Sequence, residues 1–231
     1  MISILNWEFG DRFAALYDHV MSGVSLPVKW THNRPPECED VDGCVAFQRT
    51  DDGIPSSATI FINPALSLRS AELRAAHELG HLWFASRRFP RISGGSRYER
   101  AAMKLEQTLH HFVIYPCLEK RGYDLEPDRR KRLKQNLYSI RKSIVTWPTK
   151  GTVQFTNKLL QCFDEISVLG STQQEKLLQA LKDKSVALYL CLMRLLMLAN
   201  RHDLTNPRDY RLAAFALVNE LGLTGHLFVN H

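Results

Sequence analysis

The chain has 231 residues, 45% hydrophobic and 23% charged, which is typical of a globular protein with enough length for a buried core. This composition excludes disordered and fibrous chains. The most apolar stretch, residues 186–199, is too short to span a bilayer and contains Arg194, so we expect no membrane segment. The net charge of +6 favours acidic partners without identifying one.

The N-terminus lacks the basic start and apolar run of a secretory signal. The five cysteines are an odd number and widely scattered, which favours reduced thiols over a disulfide framework. Both observations predict a cytoplasmic protein.

The N-terminal half mixes a helical pattern with short β-like runs. Apolar residues recur at helical spacing over residues 7–20, and strand-like runs follow at 27–31, 44–48 and 58–63. We expect a small three-stranded sheet, with 58–63 offering an exposed edge to which an extended substrate adds as a further strand. Residues 70–85 are rich in helix formers and lack Pro, so a helix follows, capped by Ser67 or Ser70.

This last helix carries the pentapeptide His77-Glu78-Leu79-Gly80-His81. His77 and His81 are one turn apart on the same face, so two imidazole nitrogens can bind one zinc ion. Glu78 lies about 100° around the helix, where it can take a proton from a water that zinc has acidified. About 0.02 chance matches to this pattern are expected in such a composition. The pattern therefore favours a zinc hydrolase over two unrelated histidines.

A catalytic zinc needs a third protein ligand and an open position. The next predicted helix, residues 98–115, offers Glu99, Glu106 and His110, and distance along the helices does not choose among them. The apolar neighbours of Glu106 would make an unpaired carboxylate costly, so Glu106 is the preferred ligand. His110, one turn on, could orient that carboxylate or donate a hydrogen bond to an oxyanion. His111 and Tyr115 are weaker candidates for the oxyanion role.

Beyond residue 125 the sequence predicts only helices. Their ranges are 127–146, 153–168, 172–199 and 207–221, the last with Asn206 as N-cap and Gly222 past its end. We therefore predict two domains, residues 1–125 and 126–231. The run from Arg129 to Lys142 is strongly basic; nucleic-acid contact is possible, but a solvated helix face is favoured.

The order of helix, small sheet, His-Glu-x-x-His helix and Glu-bearing helix resembles the ImmA/IrrE family of bacterial zinc metallopeptidases, over about residues 5–120. The resemblance implies a zincin-like α+β fold, with His77, His81 and Glu106 as zinc ligands and Glu78 as catalytic base. It also implies a DNA-binding repressor or antitoxin as substrate. After Glu106 the chain departs from the family pattern.

The sequence thus predicts a zinc-dependent endopeptidase of narrow specificity, with the helical half recognising the partner or restraining the site. Two alternatives stay open. One is a regulatory or nucleic-acid-binding protein that contains zinc but has no peptidase activity. The other is a different metallohydrolase, such as an amide deacylase. An intact Glu78 argues against a purely structural zinc, because a structural site does not need a base.

Overall fold

A computed structural model describes residues 1–36, 41–50, 54–142 and 153–230. The fold is α+β, with a small mixed sheet in the N-terminal half and helices through most of the C-terminal half. The chain forms two compact units, Met1–Phe89 with Lys120–Tyr123, and Pro90–Glu119 with Asp124–His231. The sequence places the boundary after residue 125 instead, and the division into domains 1–125 and 126–231 stays a prediction.

The first unit begins with an antiparallel pair, β1 (Ile2–Ile4) and β2 (Trp7–Phe9), followed by helix α1 (Asp11–Met21). The predicted helix over 7–20 is therefore wrong at its start. Phe9 is buried in the strand and packs against Phe13 of α1, with ring centroids 4.5 Å apart. The apolar residues of 7–20 have helical spacing, but Phe9 belongs to strand β2 and the helix begins only at Asp11.

The central sheet contains β3 (Val28–Thr31), β4 (Gly43–Arg49) and β5 (Pro55–Ile62), as the three β-like runs predict. Its order is β3-β5-β4, with β3 parallel and β4 antiparallel to β5. The expectation that residues 58–63 offer an exposed edge is wrong, because β5 is hydrogen-bonded on both sides. Its consecutive buried residues Ile60, Phe61 and Ile62 suit a central strand covered on both faces.

Helix α2 (Leu68–Ser86) follows β5 and packs on the sheet through its buried alanines and leucines. Ser67 is its N-cap, and the hydroxyl of Ser67 accepts a hydrogen bond from the backbone N–H of Ser70. Of the two predicted caps, Ser67 is the one used. The stretch Ala75, Ala76, His77, Glu78 and Leu79 is buried, so the first half of the pentapeptide lies inside the unit.

The second unit contains the antiparallel pair β6 (Arg91–Gly94) and β7 (Leu227–Asn230), together with most of helix α3 (Glu99–Lys120). In the described residues, the four predicted helices correspond to five, because the range 172–199 is divided in two. These helices are α4 (Glu126–Lys142), α5 (Val153–Val168), α6 (Ser171–Lys184), α7 (Val186–Asn200) and α8 (Pro207–Glu220). The end of the predicted helix 127–146 lies outside the described residues.

Two helix boundaries differ from the sequence prediction for identifiable reasons. Ser185 is extended and caps α7, its hydroxyl accepting from the backbone N–H of Leu188, so α6 and α7 are separate. Conversely, α3 continues through Pro116, where an end was predicted. A proline inside a helix costs about 3 kcal/mol. The burial of Leu118 beyond Pro116 helps to offset that cost.

Cys117, Cys162 and Cys191 are free thiols, as expected, but Cys44 is disulfide-bonded. The expectation of reduced cysteines throughout is therefore wrong at Cys44. Cys38 lies outside the described residues.

Across the described residues, no helix is both long enough and apolar enough to cross a membrane.

Candidate metal centre

Helix α2 holds His77 and His81 one turn apart. Their ring centroids are 4.7 Å apart with the planes nearly perpendicular, and their ligand nitrogens lie within 4.8 Å of each other. His77 is buried and His81 is half-buried. Two imidazoles held this close on one helical turn match the ligand pair that the sequence predicts.

Glu78 lies beside this pair and is only 3% exposed. Its Oε1 is 3.0 Å from Nδ1 of His77. When the carboxylate is ionised, His77 donates through Nδ1–H, which leaves the lone pair of the neutral ring on Nε2. That tautomer is the one that binds a metal through Nε2, so the Glu78 contact favours a ligand role for His77.

Glu106 lies on α3 in the second unit. Its Oε2 accepts a hydrogen bond of 2.8 Å from the backbone N–H of Ile92 in β6. Glu99, the alternative ligand, is exposed and is the first residue of α3. Of these two carboxylates, only Glu106 is held in place by a described contact of this kind.

His110 is buried on α3, with its ring centroid 5.9 Å from that of Tyr210 in α8. Tyr210 is completely buried, and burial raises the pKa of its hydroxyl well above the usual value, helped by the negative charge of Glu106. Glu106, His110 and Tyr210 therefore form one group within the second unit.

His111, the neighbour of His110, has a different partner. Its Nδ1 is 2.9 Å from Oδ1 of Asp164 in α5, which is almost completely buried. The sequence indicates only a weak oxyanion role for His111 and does not single out Asp164. A carboxylate at a buried position among the apolar residues of α5 is the feature that could have identified it.

The basic run has a mixed environment. Arg129 is buried, donating to both oxygens of Glu119 and to the carbonyl of Val168. Arg130 pairs with Glu126 on the surface, and Arg132 lies 3.6 Å from Glu165. Arg129 is therefore an internal anchor, unsuited either to a solvated face or to nucleic-acid contact.

The donor set fits a transition metal. His77 and His81 offer neutral nitrogen ligands, the type preferred by zinc, copper and nickel, and a carboxylate lies next to them.

Residues 42–135 match the sequence model of a peptidase family that is described as the IrrE N-terminal-like domain. The match includes His77, Glu78, His81 and Glu106, and it ends within α4. The comparisons with curated proteins and with solved structures gave no match.

Proposed function

We propose that the chain is a zinc-dependent endopeptidase of narrow specificity, because its residues 42–135 are similar to the IrrE N-terminal-like family of peptidases. The observation that carries the proposal is the pair His77 and His81 on one turn of α2, with the buried Glu78 between them. Both the ligand pair and a base are then present on one rigid helix.

Three residues of the pentapeptide, His77, Glu78 and His81, have distinct proposed tasks. His77 and His81 hold the metal through imidazole nitrogens, which suit zinc. When bound, zinc polarises the scissile carbonyl and acidifies water. The Glu78 carboxylate takes the proton of the attacking water and passes it to the leaving amine, which is general base and then general acid catalysis. Burial of Glu78 keeps bulk water away from this proton transfer.

The remaining ligand is proposed to come from α3, where the sequence favours Glu106. The hydrogen bond from Ile92 N–H to Oε2 fixes the direction of this carboxylate. His110, one turn further on, is proposed to orient Glu106 or to stabilise the oxyanion, since its ring is held in a buried position.

The proposed substrate is a regulatory protein such as a DNA-binding repressor or an antitoxin, cleaved in the cytoplasm. Among the described strands of the central sheet, β5 is paired on both sides, so an extended segment of such a partner can add at β3 or β4. Nucleic-acid binding by residues 129–142 is not favoured, and Arg129 cannot contribute to it while paired inside the unit.

The test combines metal content with partner cleavage. We expect the purified full chain to contain about one zinc per molecule and to cut one partner protein while leaving casein intact. Products of neighbouring genes are the first partners to try. Glu78→Gln should keep the metal and lose cleavage. A metal-free wild-type chain, or a Glu78→Gln protein that cuts at the wild-type rate, would contradict the proposal.

A further inference from the structure

Helix α7 of the second unit is apolar on two opposite faces. One face packs against α5, α6 and α8. Its buried residues are Leu188, Leu192, Leu195, Leu196 and Ala199. The opposite face carries Val186, Leu190 and Met197, which are 57%, 53% and 52% exposed. A helix that is apolar all round is normally buried all round. In the part of the chain that the structure describes, this exposed face is therefore a surface suited to a partner.

The exposed face has the spacing of a seam between two paired helices. Val186, Leu190, Met193 and Met197 follow one another at intervals of four, three and four residues, which is the 3.5-residue repeat of helix pairs. At 100° per residue these four positions lie within an arc of about 60°, and the seam is about 17 Å long. A helix lying on a bilayer buries a broader apolar face and needs no such repeat. The spacing favours a facing helix over a lipid surface.

The charges beside this seam are positive. Arg194 and Arg201 lie seven residues apart on one flank of the seam, and α7 contains no Asp or Glu. The Arg194 side chain is 65% exposed and lies 3.4 Å from Glu220 of α8. Such surface pairs contribute little, so an acidic side chain of a partner can compete with Glu220. A second copy of α7 offers no carboxylate to either arginine, so the flank fits an acidic helix better than a second copy.

We propose that the exposed face of α7 binds an amphipathic helix of a partner protein. The bound helix places apolar residues on the seam and Asp or Glu opposite Arg194 and Arg201. Met193 and Met197 suit this task, because the flexible thioether side chain adapts to apolar surfaces of different shape. Single exposed apolar residues are ordinary, but scattered ones share neither a seam spacing nor a charged flank. The inference goes beyond the proposed function, since this surface contains none of the proposed metal-binding residues.

A pair of synthetic peptides tests the proposal. Each is fluorescein-labelled and about 21 residues long, with Leu at both seam positions of every heptad; one carries Glu on both flanks and the other carries Lys. Like charges on both flanks keep each peptide from pairing with itself. By fluorescence anisotropy with the full chain, we expect the Glu peptide to bind with a Kd on the order of 10 µM. The Lys peptide should bind at least about 10-fold more weakly.

Substitutions on the seam should weaken binding of the Glu peptide. We expect about 5-fold for Leu190→Gln or Met197→Gln and about 25-fold for both together, because the positions are two turns apart and act nearly independently. Met103→Gln on α3 is the matched control, since Met103 is 53% exposed and makes the same change of side chain. It should leave binding unchanged. The unfolding midpoints of all these variants should match wild type, because each changes an exposed position.

Reversal of the flank charges tests the acidic partner. In the double variant Arg194→Glu with Arg201→Glu, the Lys peptide should bind more tightly than the Glu peptide. Added NaCl should weaken binding of the Glu peptide to the wild-type chain, since exposed charges are screened by salt. An unchanged preference for the Glu peptide in the double variant would remove the charged flank from the proposal.

Other outcomes would overturn the inference as a whole. One is that the wild-type chain does not bind the Glu peptide at about 100 µM. Another is an equal loss of binding in Met103→Gln and Met197→Gln. A dimer seen by light scattering that Leu190→Gln dissociates would assign the face to a second copy. Flotation with phosphatidylserine vesicles that Leu190→Gln abolishes would assign it to a membrane.

Discussion

Helices α2 and α3 both carry histidines next to acidic groups, but they assemble their chemistry differently. On α2 the histidine pair and Glu78 lie within five consecutive positions, and the helix itself sets the 4.7 Å separation of the rings. On α3 the neighbours His110 and His111 diverge. His110 packs near Tyr210 of α8, and His111 contacts Asp164 of α5.

The difference separates local from tertiary determinants of a site. Residues one turn apart share a face of any helix, so sequence spacing is enough to bring the α2 pair together. Adjacent residues face directions about 100° apart, and each needs a partner from elsewhere in the chain. Substitutions of the α2 pair should therefore act on the metal directly, whereas substitutions of His110 and His111 should act through the contacts of these residues with other helices.

The largest effect is expected on α2. His81→Ala should abolish tight zinc binding, since it removes one of two ligands on the same turn, whereas Glu78→Gln should keep the zinc and lose hydrolysis by several orders of magnitude. Metal analysis after dialysis, together with partner cleavage, measures both. Loss of zinc from Glu78→Gln would make Glu78 a ligand and break the division of roles on α2.

The next largest effect concerns the anchor at the end of α3. Glu119→Gln should destabilise the chain by about 2 kcal/mol, because the buried guanidinium of Arg129 then has only an amide oxygen in place of a carboxylate that is itself partly exposed. Arg130→Met, which breaks a surface pair one residue away, should cost less than about 0.5 kcal/mol. Urea denaturation of the metal-free proteins measures both.

The Arg129 anchor also predicts a pH dependence. The hydrogen bond from Arg129 holds the pKa of Glu119 below its usual range. This stabilisation is therefore present above the usual carboxyl range and is lost as the pH falls through the lowered pKa. On acidification, the free energy of unfolding should fall less in Glu119→Gln than in the wild-type protein. Equal costs for Glu119→Gln and Arg130→Met would mean that the end of α3 does not depend on a buried anchor.

A smaller effect is expected at His110. His110→Ala should retain zinc and reduce cleavage by about 10- to 100-fold, as for a residue that orients a ligand or stabilises an oxyanion. Gln107→Ala, on the same helix and without an assigned role, is the control. Metal loss in His110→Ala would make His110 a metal ligand and contradict its role as a residue that orients a ligand or stabilises an oxyanion.

The smallest effect is expected at the start of α8, the helix that carries Tyr210. The Asn206 side chain accepts from the backbone N–H groups of Arg208 and Asp209, and Asn206→Ala should cost about 1 kcal/mol. Thermal unfolding checks the stability, and cleavage by the folded variant should change little. If the folded fraction of Asn206→Ala cleaves the partner more slowly than wild type does, the N-cap of α8 affects His110 as well as stability.

The sequence predicted the elements whose determinants are local. The three β-like runs, the caps at Ser67 and Asn206, and α5 followed from residue type and spacing. Strand order could not be predicted, because a run such as Ile60, Phe61 and Ile62 fits an outer strand or a central one equally well until its neighbours are known. The break at Ser185 and the passage through Pro116 were missed because buried contacts, such as that of Leu118, shift the balance of weak local preferences.

The candidate site divides in the same way. His77, Glu78 and His81 could be identified from their spacing, but Asp164 lies 53 residues from its partner His111, and nothing local connects the two. The basic run also led to a wrong expectation at Arg129, which is buried and does not lie on a solvated face. Arg129 differs from Arg130 only in which side of α4 it occupies, and a run of charges conceals that difference.

The pairing of β6 with β7 has a consequence for the kinetics of folding. The hydrogen bond from Asn230 to Ser93 closes a loop of 137 residues, and β6 also supplies the Ile92 N–H that holds Glu106. At a synthesis rate of about 5–20 residues per second, roughly 7–27 s pass between the synthesis of β6 and that of its partner strand β7. Throughout that interval Arg91–Gly94 is an open strand edge that other chains can pair with. Aggregation during expression should therefore depend on the rate of translation between these two strands, more than on the stability of the finished fold.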